Sequence, residues 1–215
     1  MSPDRKRHHV VVIPGLGDAQ ASIRALAAHV EQLGMPVHVF TYPVKEWTID
    51  RAALVVASYV EREVLQGDPT CSVSFVGTGT GSLVERYYLT HYEILPARRC
   101  VIVADLFHAS DRHRGKRLGW LAKRRFGVAL SQLAEGPEGF PVHCGVPPIP
   151  FGVIVTGVRQ APEMHETRSI YVPGELLQAA RAVTHTRAAC RIALRTPQVR
   201  ELISTFLLHG WFTEG

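Results

Sequence analysis

Short apolar runs alternate with segments of helical spacing along this chain. The runs are rich in β-branched residues and nearly continuous, which is typical of strands buried on both faces of a parallel sheet. The predicted strands are His9–Pro14, Val37–Tyr42, Ser72–Val76, Arg99–Ala104, Phe151–Thr156 and Arg181–Thr184. Their alternation with helices predicts an α/β fold in three layers, with a mostly parallel central sheet of about six strands and helices on both faces.

Several helix ends carry recognisable signals. Apolar residues follow a helical period from Ser22 onward, and Gly34 supplies the stop. Asp50 is predicted to cap the next helix. Near the end of the chain, Thr196 and Pro197 are a typical helix start.

The length of 215 residues suits one domain, so we expect residues 1–215 to form a single unit. No strand pattern occurs between the runs that end near 105 and begin near 151. A connection of that length is usually functional. We therefore predict a cap or lid insertion over residues 106–150.

The net charge of +5 is concentrated in one place. Residues 111–125, DRHRGKRLGWLAKRR, hold seven Arg or Lys against one Asp. Such a cluster indicates either an anionic partner, such as nucleic acid or a membrane surface, or a solvated helix face. Both interpretations stay open at this point.

Other composition features exclude several classes of protein. The four cysteines lie far apart, with no Cys-x-x-Cys pair and no histidine spacing typical of a zinc site, so we expect no metal and no cofactor. No apolar run is long enough to cross a membrane, and the basic start MSPDRKRHH leads directly into a strand. These features predict a cytoplasmic protein.

The segment Val73–Val84, VSFVGTGTGSLV, joins a strand to a helix through a glycine-rich turn. One interpretation is a dinucleotide-binding loop, because Gly77-x-Gly79 follows a strand and Asp105 ends the next one. Against it, Ser82 stands at the third glycine position, and the first strand–helix unit carries PGLGD instead. The other interpretation is a nucleophile elbow, but its central position is Gly79 where Ser is required.

Four segments together resemble the lipase-like α/β-hydrolase superfamily. VVVIPGLGD is similar to its first strand and loop, and VSFVGTGTGSLVERYYL to its Gly-x-Ser-x-Gly elbow and helix. VIVADLFHAS resembles the strand that follows, and RAVTHTRAACRIALRTPQVRELISTFL resembles the last strand, the histidine loop and the terminal helix. The segments occur in family order over about residues 9–209.

The resemblance implies a site for each part of the serine hydrolase machinery. It puts the nucleophile on Gly79 (within Gly77-Thr78-Gly79-Thr80-Gly81) and the base on His185, and the oxyanion donors on the amides of Leu16 and Thr80. For the acid, counting from the Phe151–Thr156 strand gives Glu166 or Glu163, whereas alignment on YVP gives Ser169.

The resemblance also implies a function that has changed. With Gly79 in place of Ser, we expect ordinary serine-ester hydrolysis to be lost, while an acyl or other carbonyl-containing ligand could still bind. The alternatives are an active carboxylic ester hydrolase whose nucleophile is substituted only in this chain, and a binding module that uses residues 111–125 on an anionic partner. Pro14, in a position where the family usually has His, and Ser169 argue against a single inactivating change.

Overall fold

The computed structural model describes residues 7–92, 96–105, 128, 132, 143–157, 174–188 and 190–212. Its strands are β1 (His8–Ile13), β2 (Val37–Val39), β3 (Ser72–Thr78), β4 (Ala97–Asp105), β5 (Phe151–Thr156) and β6 (Ala182–His185). Its helices are α1 (Gln20–Gln32), α2 (Ile49–Tyr59), α3 (Thr80–His91), α4 (Gly174–Ala179), α5 (Cys190–Ala193) and α6 (Pro197–His209). A π-helical turn, Val60–Leu65, continues α2.

The six strands form one sheet in the order β2-β1-β3-β4-β5-β6. Every neighbouring pair is parallel. The predicted parallel sheet with helices on both faces is therefore confirmed. All strands end at the same edge, where ligands bind in open α/β sheets.

Two apolar cores lie on opposite faces of the sheet, because successive strand residues point to opposite sides. On one face, Val56 of α2, Leu83 of α3 and Leu176 of α4 pack against the sheet. On the other, Leu26 of α1 and Phe206 of α6 do so. The elbow helix α3 thus lies on the α2–α4 face.

Three strands differ from their predicted lengths, and one of them is β4, which begins at Ala97 and ends at Asp105 rather than running from Arg99 to Ala104. β2 ends at Val39 rather than Tyr42, although the Phe40 amide still donates to the Val12 carbonyl at 2.9 Å. β3 continues past Val76 to Thr78, because the ladder with β4 extends to the pair Thr78 and Val103. The sheet therefore supports the glycine-rich turn up to the residue before Gly79.

The start of α2 corrects one prediction. Thr48, not Asp50, is the N-cap, and its hydroxyl accepts from the Arg51 amide at 3.4 Å. Asp50 is the second residue of the helix, where its carboxylate accepts from the Gln132 side chain at 3.1 Å. Gln132 also accepts from the Ile49 amide at 2.8 Å, so it supplies a second cap from a distant part of the chain.

Residues 128 and 132 belong to the predicted insertion, 106–150. The Val128 amide donates to the Lys45 carbonyl at 2.9 Å, next to the start of α2. These contacts fix the two residues against the β2–α2 connection. The basic segment 111–125 lies outside the described residues, and the cap or lid character of the insertion stays a prediction.

Candidate functional site

Gly79 forms the apex of a sharp turn between β3 and α3. Its backbone torsions are φ 50° and ψ −121°, a combination in which a side chain would be strained. The Gly79 amide donates to the Val103 carbonyl of β4 at 2.9 Å, and the Ser82 amide donates to the Gly79 carbonyl at 3.1 Å. The turn thus has the strained strand-to-helix shape of a nucleophile elbow.

The outer glycines of the motif are required by close packing. A Cβ on Gly81 would lie 2.1 Å from the Ile13 carbonyl oxygen, and one on Gly77 would lie 2.6 Å from the Ser82 Cα. Both distances are far below van der Waals contact, and both involve backbone atoms. The Gly-x-Gly-x-Gly spacing therefore follows from the tight contact of the turn with β1 and with α3.

Three hydroxyl groups surround the apex, and each of them is bound within the fold. The Thr78 hydroxyl donates to the Asp18 carboxylate and accepts from the Gly15 amide at 3.1 Å. The Ser82 hydroxyl donates to the Gly79 carbonyl at 2.6 Å. Thr78, Thr80 and Ser82 are 1%, 4% and 0% exposed. Each of these hydroxyls is thus engaged with another group of the fold and shielded from solvent.

The Leu16 amide, a predicted oxyanion donor, already has an acceptor. It donates to the Thr80 hydroxyl at 2.8 Å, across the gap between the loop after β1 and the start of α3. The amide of Thr80, the other predicted donor, makes no hydrogen bond to any described residue. The two predicted donors therefore differ in availability.

His185 is the last residue of β6, and its imidazole is half-buried. Burial lowers its pKa below the ordinary value of 6.5. The strand registers put Thr78 and Thr184 on the same rung of the sheet, with β4 and β5 between them. The next residues, Gly79 and His185, are thus three strand spacings apart, about 14 Å.

The three candidates for the acid, Glu163, Glu166 and Ser169, lie outside the described residues. The geometry available for a triad therefore consists of the elbow and the end of β6. Of the positions that the family resemblance implies, the structure brings together Gly79, Thr80 and Leu16. His185 ends β6, and β4 and β5 lie between that strand and β3. The assignment of His185 and of the acid stays a prediction.

No protein-family model matches the chain, and no curated protein matches its sequence. Solved structures do. An α/β-hydrolase enzyme, MGS-MChE2, from a sediment metagenome of the Mar Chica lagoon in Morocco superposes with a TM-score of 0.60 at 13% identity, covering 94% of this chain and 89% of that one. An extracellular α/β-hydrolase from a Paenibacillus species superposes with a TM-score of 0.60 at 14% identity, covering 94% of this chain and 98% of that one.

A bromoperoxidase from Bacillus anthracis gives a TM-score of 0.58 at 14% identity, covering 94% of this chain and 92% of that one. Each superposition includes nearly the whole of both chains. This chain has the α/β-hydrolase fold. At such low identity the likeness establishes the fold alone.

Within this α/β-hydrolase fold, a buried carboxyl group that the sequence did not predict lies beneath the elbow. Glu85 of α3 is 0% exposed, and neither carboxyl oxygen makes a hydrogen bond to a described residue. Burial raises its pKa well above 4.5, although the nearby Gly77 amide and Arg86 oppose the rise in part. Burial therefore favours the neutral, protonated form of this carboxyl group relative to an exposed glutamate.

Arg86, the next residue, is 1% exposed and donates from Nε and Nη2 to the Gly145 carbonyl at 3.1 and 2.8 Å. A cavity of about 380 Å³ lies beside it. The cavity is lined by Arg86 and by residues 145–146, 174–176 and 178. Arg86 is seven residues beyond Gly79, about 10 Å along the helix axis, so the cavity is displaced from the apex of the elbow.

The sequence carried one signal for these buried charges. The segment SLVERYYL places Glu85 and Arg86 on α3, a helix whose first turns are buried on all sides. A charged pair in such a helix indicates buried polar contacts rather than a solvated face.

No cluster of three or more His, Cys, Asp or Glu suited to a metal ion occurs among the residues that the structure describes. Over the same residues, no helix has the length and apolar content needed to span a bilayer.

Proposed function

We propose that this chain is an α/β-hydrolase-fold protein that lacks ordinary serine-ester hydrolase activity and binds an acyl or other carbonyl-containing ligand at the elbow. One observation carries the proposal. Gly79 holds the apex of a well-formed elbow, with torsions that suit a nucleophile, and has no side chain to attack with. Loss of the nucleophile from a serine hydrolase costs on the order of 10⁶-fold in turnover.

The surroundings of the apex support the loss of chemistry. The neighbouring hydroxyls donate to or accept from groups of the fold, and each is almost fully buried. His185 ends β6, with β4 and β5 between it and the elbow, so we expect a serine at position 79 to lack a base beside it. We therefore expect no proton transfer at the apex.

A backbone amide at the elbow supports the binding of a carbonyl-containing ligand. The Thr80 amide, at the first turn of α3, is a backbone donor with no acceptor among the described residues. A helix N-terminus with such a donor favours an oxygen that carries partial negative charge. A ligand carbonyl oxygen is a group of that kind.

The experiment compares three proteins on short-chain p-nitrophenyl esters: the unaltered chain, Gly79→Ser, and Gly79→Ala as the matched control. The control adds a Cβ at the same strained position without a hydroxyl. We expect the unaltered chain and Gly79→Ala to show the same rate, equal to the background. Turnover by the unaltered chain at rates ordinary for esterases would contradict the proposal.

Gly79→Ser separates the proposal from its alternative. We expect this variant to remain inactive, because a restored serine still lacks a base at hydrogen-bond distance. Turnover by Gly79→Ser, absent from Gly79→Ala, would instead support an active hydrolase fold in which one substitution accounts for the loss. It would also show that a base reaches the elbow.

A further inference from the structure

Two threonines on either side of Gly79 hold the loop after β1 against the elbow. Thr78 binds the Gly15 amide and the Asp18 carboxylate, and Thr80 binds the Leu16 amide. Asp18 also accepts from the Gly15 amide at 2.7 Å. The two successive amides of this loop, at 15 and 16, therefore both donate to groups inside the protein.

The Thr80 hydroxyl accepts from the Leu16 amide, the donor that the resemblance assigns to a ligand oxygen. Its distance of 2.8 Å to the Leu16 nitrogen is that of an ordinary N–H···O hydrogen bond. Because an amide proton makes one such bond well, a carbonyl oxygen and the Thr80 hydroxyl compete for it. Thr80 is only 4% exposed, so the contact is also shielded from water.

We propose that Thr80 gates the elbow: its hydroxyl must leave the Leu16 amide before a ligand carbonyl can be held by the Leu16 and Thr80 amides together. This inference rests on the function proposed above and adds a gating residue and a ligand class. In the closed arrangement, the Thr80 hydroxyl accepts from the Leu16 amide, and only the Thr80 amide can donate to a ligand. In the open one, both donors converge on one oxygen.

The same contacts favour a neutral ligand. Asp18 lies two residues beyond Leu16, and its carboxylate accepts from both Gly15 and Thr78. A negative charge so close to the donors repels an anionic oxygen and not a neutral one. The gate therefore favours the carbonyl of an ester or amide over a free carboxylate.

The first measurement tests the gate without any ligand. We compare amide hydrogen exchange at Leu16 in the unaltered chain, Thr80→Ala and Thr80→Ser. Since Thr80→Ala removes the acceptor, we expect exchange at Leu16 to rise about fivefold or more, which corresponds to one net hydrogen bond. Thr80→Ser keeps a hydroxyl and should restore slow exchange. Unchanged exchange in Thr80→Ala would overturn the gate, whatever binds to the site.

The second measurement titrates hexanamide, a neutral carbonyl probe, and hexanoate, its anionic counterpart, into the same three proteins by NMR. We expect hexanamide to bind Thr80→Ala about threefold to tenfold more tightly than the unaltered chain, because the competing hydroxyl is gone. Thr80→Ser should bind like the unaltered chain. Thr70→Ala, which removes an exposed hydroxyl bound to Asp68, is the distant control.

The outcomes separate the gate from the proposed function. Faster exchange in Thr80→Ala together with tighter hexanamide binding supports both. Faster exchange with no hexanamide binding by any of the proteins overturns the carbonyl ligand and with it the gating role. Tighter binding of hexanoate than of hexanamide overturns the preference for a neutral carbonyl.

Discussion

The end of β3 and the end of β6 lie at the same edge of the sheet but present different groups there. At the end of β3, the backbone has the elbow shape, with φ 50° at Gly79 and tight contacts on both sides, but the reactive group is absent. At the end of β6, His185 provides an imidazole, but it is still part of a strand, paired with Val155. β3 thus leads into a tightly packed turn with no side chain at its apex, whereas β6 ends on an imidazole.

Close packing holds the elbow in its shape although its apex carries no side chain. A glycine at the apex relieves the strain that a serine would carry, while Gly77 and Gly81 keep the close contacts. The His185 side chain is only half-buried and makes no hydrogen bond to a described residue, so it is less constrained by its surroundings. Substitutions at the two ends should therefore have very different effects on stability.

The largest effect is expected at Gly81. In Gly81→Ala the new Cβ would lie 2.1 Å from the Ile13 carbonyl, and neither backbone segment can move without breaking the sheet. We expect a loss of about 3 kcal/mol or more in the free energy of unfolding, measured by urea denaturation. Gly67→Ala is the control, because nothing lies within 4 Å of its Cβ position. A loss no larger than that of the control would refute the packing argument.

Gly79→Ala should have an intermediate effect. The apex torsions strain any residue with a Cβ, so we expect a loss of about 1–3 kcal/mol in the free energy of unfolding. Calorimetry or urea denaturation measures it. A stabilised variant would mean that the turn does not hold the strained conformation.

Glu85 beneath the elbow should make stability depend on pH. Its pKa is raised in the folded state, so above about pH 4.5 the folded state keeps a proton that the unfolded state releases. The free energy of unfolding therefore falls as the pH rises from 4.5 toward the folded-state pKa. We expect Glu85→Gln to flatten this fall, as measured by urea denaturation across pH.

The matched control for Glu85 is Glu61→Gln, at an exposed position of the π-helical turn. It should leave the pH dependence as it is in the unaltered chain. An equal slope in Glu85→Gln and the unaltered chain would show that Glu85 does not titrate as a buried acid.

The smallest effect is expected at His185. Replacing it by Gln removes a half-buried ring that makes no hydrogen bond to a described residue, so we expect a change within about 0.5 kcal/mol. Ester turnover should stay at background in both proteins. A variant with a measurably lower rate than the unaltered chain would place His185 in a working site.

Much of the fold could be predicted from the sequence. The β-branched runs marked the positions of all six strands of the sheet, and Phe151–Thr156 was predicted to the residue. The glycine spacing around Gly79 predicted the elbow, because close packing leaves few alternatives at Gly77 and Gly81. These features depend on local sequence and on the alternation of strands with helices.

The rest depends on contacts between distant parts of the chain. The cap of α2 involves Gln132, which lies 83 residues from Ile49. The distance between Gly79 and His185 is set by the two strands between them, and a motif alignment contains no such information. The Thr80–Leu16 hydrogen bond joins residues 64 apart. Pattern alone could not predict which amide would be occupied.

We propose that the elbow of this α/β-hydrolase fold has no nucleophile. The most direct measurement is the intact mass of the unaltered chain after incubation with an alkyl fluorophosphonate, which forms a covalent adduct with activated serine or threonine hydroxyls. We predict an unchanged mass. A single stoichiometric adduct, located by peptide mapping to Thr78, Thr80 or Ser82, would show that one of these hydroxyls is activated and would contradict the account.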